Sequence, residues 1–232
     1  MREPSRMESY VKHYDRDYFA GYLDDGDQGK QKRDRQYAAE RGRVLRFCSQ
    51  GRILDVGCGP GGFLEGFSDE QWDKYGVEVS DLAREVARSK GIQFDFAWAE
   101  EYFDVVVFRA SLHHIDTPFS LIKRSIQSLK MGGLIAFLMT PNADGIMYRL
   151  FRDIPGTDEH LNFLIPSEKM LRQTLTNFGC EIIEFRFPYR DTPYANVPKD
   201  LLGFVLKCFG SKRPVTFWGN YLECYARRVR AM

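Results

Sequence analysis

The stretch that decides the fold is Ile53-Leu54-Asp55-Val56-Gly57-Cys58-Gly59-Pro60-Gly61-Gly62, an apolar strand that carries one acid and runs into a glycine-rich turn. Glycine adopts positive φ values and has no Cβ, so a ligand can approach the backbone of such a turn closely. A helix that opens near Gly62 would offer free N–H groups to an anionic group. The stretch therefore predicts a strand-turn-helix unit with a nucleotide-like cofactor site.

The glycine spacing alone fits two cofactor classes. Gly57-x-Gly59-x-x-Gly62 matches the dinucleotide fingerprint, and Glu78, at the end of Tyr75-Gly76-Val77-Glu78, is placed to bind a ribose. Asp55, two residues before the first glycine, distinguishes the two classes. A carboxylate there attracts the ammonium of an amino-acid tail and repels a pyrophosphate. The sequence therefore favours S-adenosylmethionine over a nicotinamide dinucleotide.

Two motifs resemble those of a known family. Leu54 to Gly61 closely resembles the first motif of class I S-adenosylmethionine-dependent methyltransferases of the small-molecule type. Phe103 to Pro118 resembles the family's fourth-strand motif, with the pair His113-His114 in the loop that follows the strand. The resemblance covers roughly residues 40 to 228. It implies S-adenosylmethionine as the cofactor, with S-adenosylhomocysteine as its product.

Apolar runs alternate with helix-like segments along most of the chain, which predicts an α/β fold with a mostly parallel sheet. Together with the resemblance, this order leads us to expect a Rossmann-like, doubly wound sheet of seven strands with an antiparallel hairpin at its C-terminal edge. The predicted strands are 52–57, 74–79, 92–96, 103–109, 134–139, 181–187 and 218–227. The predicted helices are about 33–49, 61–68, 80–90, 117–130 and 167–178.

The chain is expected to hold one domain with two additions. Residues 1–32 are polar and aromatic and are predicted to form an N-terminal arm. Residues 33–232 are predicted to form the methyltransferase domain, in which 141–165 are a substrate lid inserted after the fifth strand.

Composition excludes several classes of function. A net charge of +1 gives no electrostatic reason to bind nucleic acid, and no apolar run reaches the ~18 residues of a membrane span. Five widely spaced cysteines without a C-x-x-C pair indicate neither a disulfide framework nor a metal site. The first residues contain no apolar signal region. We therefore expect a cytoplasmic protein with no nucleic-acid or membrane partner and no metal, and a homodimer remains open.

The resemblance assigns the cofactor to residues at the ends of the strands. Glu78 matches the family's acid that accepts hydrogen bonds from both ribose hydroxyls. The adenine edge is expected near Asp95 to Ala99, where Phe96 or Trp98 would stack on the base or simply pack in the core. The predicted cofactor residues are Asp55, Gly57, Cys58, Gly59, Gly61, Glu78, Val79, Asp95, Phe96, Ala97, Arg109, Ala110 and His113.

Three histidines are candidates for a catalytic base. His113 or His114 would take a proton from a hydroxyl as its oxygen attacks the methyl carbon, or would only line the cofactor pocket. His160, in the segment Asp158 to Phe163, resembles a histidine that faces the acceptor in small-molecule and sugar methyltransferases. Tyr148, Phe151, His160 and Phe163, with Tyr189, are predicted to line the acceptor cavity.

The function predicted from sequence is methyl transfer from S-adenosylmethionine to a small-molecule acceptor, with a hydroxyl of a sugar or secondary metabolite favoured. Three alternatives stay open: an N-methyltransferase acting on a small amine, a nicotinamide-dependent oxidoreductase, and a non-catalytic S-adenosylmethionine-binding protein. An RNA or protein methyltransferase is disfavoured, because no Asn/Asp-Pro-Pro-aromatic tetrapeptide follows the fourth strand.

Overall fold

In a computed structural model of the chain, the described residues are 27–155, 157, 162–190, 192 and 195–231, with side chains from residue 29 onward. These residues form an α/β fold with six strands of mixed direction. Two compact units divide at Ala97 and Trp98.

The described residues of the first unit, 27–97, contain two parallel strands and three helices. Its elements are α1 (Asp27–Leu45), β1 (Gly51–Val56), α2 (Gly62–Glu65), β2 (Trp72–Val77) and α3 (Asp81–Arg88). β1 pairs with β2 in parallel from Gly51 opposite Trp72 to Val56 opposite Val77. The last four residues of β1 are buried, which confirms the buried parallel strand that the sequence predicts before the glycines.

Helix α1 is longer than predicted and buries two polar residues beside its apolar ones. It begins at Asp27, so it includes the last six residues of the predicted arm, and residues 1–26 of that arm lie outside the described residues. The buried positions repeat at helical spacing and are Gln36, Tyr37, Glu40 and Val44. Of the two polar residues, Gln36 donates a hydrogen bond to Glu40 (Nε2 to Oε1, 2.8 Å).

The predicted strand 92–96 is wrong, which reduces the count from seven strands to six in the described part of the chain. Only Gln93 pairs with β2: its N–H donates to Lys74 O and its carbonyl accepts from Gly76 N–H, both at 2.9 Å. Beyond Gln93 the side chains alternate between exposed and half-buried, so this edge segment buries too little apolar surface to extend the pairing.

In the second unit the described residues form four strands in the order β3-β4-β6-β5. β4 runs parallel to β3, whereas β6 runs antiparallel to both β4 and β5. The antiparallel hairpin predicted for the C-terminal part of the sheet is therefore confirmed. The strands are β3 (Phe103–Arg109), β4 (Leu129–Pro141), β5 (Cys180–Arg186) and β6 (Tyr221–Arg228).

In the part of this unit that the structure describes, four helices and a short 3₁₀ turn accompany the strands. They are the turn Leu112–His114 and the helices α4 (Pro118–Ser128), α5 (Ile146–Phe151), α6 (Glu168–Asn177) and α7 (Val197–Cys208). α4 and α6 confirm two predicted helices, and Gly179, with a φ of 76°, follows α6 as the sequence predicts. The sequence analysis did not predict α5 or α7. No helix in the described ranges combines the length and apolar character needed to cross a membrane.

The predicted lid, 141–165, is tied down where it begins. Asn142 donates from Nδ2 to Gly219 O (2.9 Å) and accepts from the Asp144 N–H (3.0 Å), while Ala143 N–H donates to Pro166 O (2.8 Å). α5 follows directly. The middle of the segment, including His160, lies outside the described residues, so closure of a lid remains a prediction.

Candidate functional site

The glycine-rich loop of the first unit has the backbone conformation that the sequence predicts. Gly57, Gly59 and Gly61 have φ values of 83°, 52° and 78°. The N–H groups of Gly57 and Cys58 both donate to Val77 O, at 2.7 and 3.1 Å, which fixes the loop at the carboxyl end of β2. Gly57 is exposed. The loop therefore offers an open stretch of backbone to a ligand.

Close packing also requires glycine at Gly61. A Cβ at this position would lie 2.3 Å from Ile92 Cδ1 and 3.2 Å from Ala87 Cβ. Helix α2 begins at the next residue and spans only four residues, shorter than the predicted helix to residue 68.

Glu78 fixes the glycine-rich loop to the end of β2. Its Oε2 accepts the Gly59 N–H at 2.9 Å, and its Oε1 accepts the N–H groups of Val79 and Ser80 at 2.8 and 2.9 Å. A carboxylate has about four acceptor positions on two oxygens. Three are therefore in use, and at least one on Oε2 remains for a ligand hydroxyl.

Asp55 and Cys58 are the buried polar groups of this loop. The Asp55 side chain is 2% exposed and lies near the end of β1. Burial raises the pKa of the Cys58 thiol well above its usual value, and the charges of Asp55 and Glu78 add to the shift. The thiol therefore stays protonated and unreactive at neutral pH. Cys58 also packs against β2, because a Cβ at Gly76 would lie 2.6 Å from its sulfur.

The predicted adenine edge is only partly buried. Asp95 and Ala97 are exposed, whereas Phe96 is half-buried and packs edge-on against Tyr75 at 5.7 Å between ring centroids. Val79 is also exposed. In the second unit, the Arg124 guanidinium covers the Trp98 ring at 4.8 Å. Of the two aromatic rings proposed to stack on a base, Phe96 is therefore the better candidate.

In the second unit, the backbone bends sharply where β3 ends. Arg109 is the last residue of the strand, and Ala110 has a positive φ of 50°. The Ala110 N–H donates a hydrogen bond to Leu138 O at 2.8 Å, which stabilises this conformation. A positive φ is uncommon for alanine. The bend leads directly into the 3₁₀ turn that carries the two histidines.

The two histidines occupy different environments. The His113 ring is 4% exposed, and its Nδ1 has no hydrogen-bond partner among the described residues. Burial lowers the pKa of His113 well below its usual value, and His114, whose ring lies 3.9 Å away between centroids, adds to the effect. His113 is therefore neutral at pH 7 and a weak base. His114 is half-buried.

The predicted acceptor residues are divided between two places in the second unit. Phe163 lies beside the histidine turn, because its N–H donates to His113 O at 2.9 Å. Tyr148 and Phe151 lie on α5. The Arg152 guanidinium covers the Tyr148 ring at 5.1 Å, and Phe151 packs edge-on against Phe204 of α7 at 6.0 Å. His160 cannot be placed, since it lies outside the described residues.

Residues 30–184 match the family model described as "Methyltransferase domain". The match covers well over half of the chain. This chain belongs to the methyltransferase domain family. A ubiquinone biosynthesis O-methyltransferase of Azoarcus sp. is 30% identical over 154 residues, which cover 57% of this chain and 65% of that protein. A trans-aconitate 2-methyltransferase of Mycolicibacterium gilvum is 28% identical, with 60% of this chain and 61% of that protein covered.

This methyltransferase domain thus spans slightly less than two thirds of the length of these two relatives. A solved structure with a similar fold is an S-adenosylmethionine-dependent methyltransferase of Thermotoga maritima, described as a possible histamine N-methyltransferase. Its TM-score is 0.60 at 17% identity, and the superposition covers 90% of this chain and 98% of that chain. At this identity the likeness concerns the fold, which is that of S-adenosylmethionine-dependent methyltransferases.

The contacts around α7 in this methyltransferase domain were not predicted from the sequence. Tyr189, predicted to line the acceptor cavity, donates its hydroxyl to Asp200 Oδ2 at 2.7 Å, and its ring packs on Trp218 at 4.0 Å between centroids. Burial and the bond to Asp200 raise the pKa of Tyr189 to about 12. Asn196 followed by a proline at position 198 is a helix-start signal that predicts α7.

Proposed function

We propose that this chain transfers the methyl group of S-adenosylmethionine to a hydroxyl group of a small molecule. The observation that carries the proposal is the Glu78 carboxylate, which binds the Gly59 amide beside a buried Asp55. This pair of acids at the ends of two adjacent parallel strands suits a ligand with a ribose and a cationic amino-acid tail. The pyrophosphate of a dinucleotide would lie near the Asp55 carboxylate, and the two negative groups would repel each other.

The residues of the first unit fit the cofactor. Asp55 would attract the ammonium of the amino-acid tail, and the exposed backbone of Gly57 and the half-buried backbone of Gly59 would lie close to that tail. Glu78 would bind the ribose hydroxyls with its spare acceptor position on Oε2. Because two hydroxyls need two acceptors, we expect the bond from Gly59 N–H to lengthen or break when the ribose binds. Phe96, with Asp95 and Ala97, would contact the adenine.

The bound cofactor supplies an activated methyl group on a sulfonium. The protein therefore has mainly to position the acceptor and exclude water. We assign proton removal to His114 rather than His113, because a buried histidine with a lowered pKa is a weak base. His113, with Arg109 and Ala110, would shape the cofactor side of the turn, and His160 stays a rival base.

The acceptor is assigned to the second unit, with Phe163 beside the histidine turn and Tyr148 and Phe151 on α5. The similarity to a ubiquinone biosynthesis O-methyltransferase supports an oxygen acceptor. The aromatic character of the three side chains favours a substrate with an apolar or ring-shaped part.

Calorimetry with S-adenosylhomocysteine and NAD tests the cofactor. We expect binding of S-adenosylhomocysteine and none of NAD, and a higher thermal unfolding midpoint with the first ligand only. Selective binding of NAD would reject the proposal. Folded protein that binds neither ligand at millimolar concentration would remove the cofactor assignment altogether.

Methyl transfer to paired compounds tests the acceptor. The same aromatic scaffold is offered with a hydroxyl or with an amine, and incorporation of labelled methyl is measured for each. We expect transfer to the hydroxyl compound, and about a hundredfold less after His114→Gln, the lower end of the range that general-base catalysis contributes. Transfer to the amine alone would identify an N-methyltransferase instead.

A further inference from the structure

Helix α7 exposes most of its apolar side chains and buries two charged ones, Asp200 and Lys207. Five apolar residues follow one face of the helix at positions i, i+1, i+4, i+5 and i+8, and all are at least 46% exposed. Leu202 is 60% and Phe209, just beyond the last turn, 85% exposed. This five-residue stripe, the α7 face, consists of Leu201, Leu202, Val205, Leu206 and Phe209.

Polar contacts and one ring stack hold the opposite side of the helix against the rest of the second unit. Asp200 is buried and accepts from the Tyr189 hydroxyl at 2.7 Å and from the Asn196 N–H at 2.8 Å. Lys207 is buried and forms an ion pair with Asp153. Phe204 stacks on Phe217 at 4.9 Å between centroids. Turning the apolar face inward would break these contacts and leave buried polar groups without partners, which is costly.

Positive charges lie at both ends of the α7 face. Lys199 is exposed in the first turn, and Lys212 and Arg213 are exposed just beyond the end of the helix. Among the described residues from 195 to 216 the only carboxylate is that of Asp200, which is buried and paired. The exposed charges that this segment places at the two ends of the apolar stripe are therefore all positive.

We propose that the α7 face binds the surface of an anionic phospholipid bilayer. A helix that lies in the interface with its apolar side chains between the lipids, flanked by lysine and arginine, has this combination of features. Each cation near an anionic surface adds to the attraction. With twelve residues the helix is ~18 Å long, so it lies on the bilayer rather than across it.

A second copy of the chain fits the same face less well. Five side chains are few compared with the roughly 20–30 residues per partner that a stable interface uses. Pairing two such faces would also bring the lysines and arginines of both copies together. A bilayer provides the opposite charge and has no fixed area to match.

The neighbouring helix presents a similar surface. α5 contacts α7 through Phe151 and Phe204, and it exposes Ile146 and Leu150 together with Arg149. A membrane-bound α7 would thus keep α5, where Tyr148 and Phe151 lie, close to the lipid. The inference stands on exposure and charge alone and does not depend on the proposed methyl transfer.

Flotation of the full chain with lipid vesicles tests the proposal. We expect binding to vesicles of phosphatidylcholine with phosphatidylglycerol, at least about tenfold weaker binding to phosphatidylcholine alone, and release in 0.5 M salt. Leu202→Ser with Phe209→Ser should weaken binding at least about tenfold, because both apolar side chains are lost. Phe119→Ser with Met131→Ser removes two apolar side chains of 47% and 49% exposure on other elements and should bind like wild type.

A fluorescent label at Cys208 gives a second readout that does not depend on flotation. Cys208 is exposed on α7, and Cys48→Ser removes the other accessible thiol, since Cys58, Cys180 and Cys224 are buried. We expect the emission of a polarity-sensitive label to shift to the blue with anionic vesicles. No vesicle binding by the wild-type chain, or equal losses in both serine pairs, would overturn the proposal. A dimer that only the α7 pair dissociates, without vesicle binding, would assign the face to a second copy.

Discussion

The glycine-rich loop, residues 55–62 with Glu78, and the connection between β5 and β6, residues 187–220, hold their shapes in different ways. In the loop the backbone hydrogen bonds join residues about twenty positions apart or fewer, as between Gly59 and Glu78, and the packing of Gly61 on Ile92 joins residues about thirty positions apart. The connection is fixed by partners far along the chain, such as Lys207 with Asp153 and Gly219 with Asn142. A motif of ten residues therefore determines the first region, whereas the second depends on the assembled unit.

The largest effect is expected at Gly61, where the loop combines a positive φ with close packing. Gly61→Ala should lower the free energy of unfolding by about 3 kcal/mol, because backbone strain and a clash with Ile92 add together. Urea denaturation measures the change. Gly132→Ala is the matched control: this glycine has the same φ of 78° but nothing within 4 Å of a Cβ, so we expect a loss of only about 1 kcal/mol.

If both alanine variants lost the same stability, the clash would contribute nothing, and the loop would be no more tightly packed at Gly61 than β4 is at the exposed Gly132. Close packing would then not distinguish the glycine-rich loop from the connection between β5 and β6.

A second effect separates ligand binding from folding in the loop. Glu78→Ala should weaken the binding of S-adenosylhomocysteine about thirtyfold, or by about 2 kcal/mol, because the ribose loses a charged acceptor and Gly59 loses its partner. Glu85→Ala, an exposed acid on α3, serves as control and should bind like wild type. Calorimetry gives both values. Unchanged affinity in Glu78→Ala would remove this residue from the cofactor site.

The glycine-rich loop was predicted from the sequence more accurately than the connection between β5 and β6. The positions of Asp55, the three glycines and Glu78 at the ends of β1 and β2 were predicted correctly, because a strand, a turn and a short-range hydrogen bond are local properties. Their role in binding the cofactor stays a prediction. The prediction of a strand at 92–96 was wrong, because pairing at a sheet edge depends on the backbone and side chains of the neighbouring strand. The apolar pattern of residues 92–96 does not contain that information.

The acceptor side was predicted least well. The contact of Phe163 with His113 joins residues fifty positions apart, and no periodicity indicates it. Tyr189 was assigned to a cavity, although its hydroxyl holds Asp200, because a buried acid on α7 was not expected. α7 itself has a recognisable start at Asn196, but its apolar residues predict a buried face, and the structure exposes them.

A third prediction tests the anchoring of the connection. Tyr189→Phe should lower the free energy of unfolding by about 1.5 kcal/mol, because the buried Asp200 carboxylate loses one of its two hydrogen bonds. Tyr148→Phe is the control, since the structure gives its hydroxyl no hydrogen bond among the described residues. Chemical denaturation compares the two variants. A similar loss in both would show that the ring, and not the bond to Asp200, holds this region in place.

The smallest effect concerns His113, whose burial is also a product of distant packing. An unfolded histidine titrates near pH 6.5, and burial lowers the pKa of His113 well below that value in the folded chain. Below pH 6.5 the unfolded chain therefore binds a proton that the folded chain does not, and the free energy of unfolding decreases as the pH falls. Above pH 6.5 both states are neutral and this contribution is constant.

His113→Gln should remove this dependence, so that its stability declines by about 1 kcal/mol less than that of the wild type between pH 6.5 and 5.5. Denaturation curves at several pH values give the slope, which is independent of the stability that the substitution itself costs. His114→Gln should keep most of the slope, because burial is the larger cause of the shift at His113. If the slope persisted in His113→Gln and vanished in His114→Gln, the half-buried ring would be the one that stays neutral, and His113 would become the better candidate for the catalytic base.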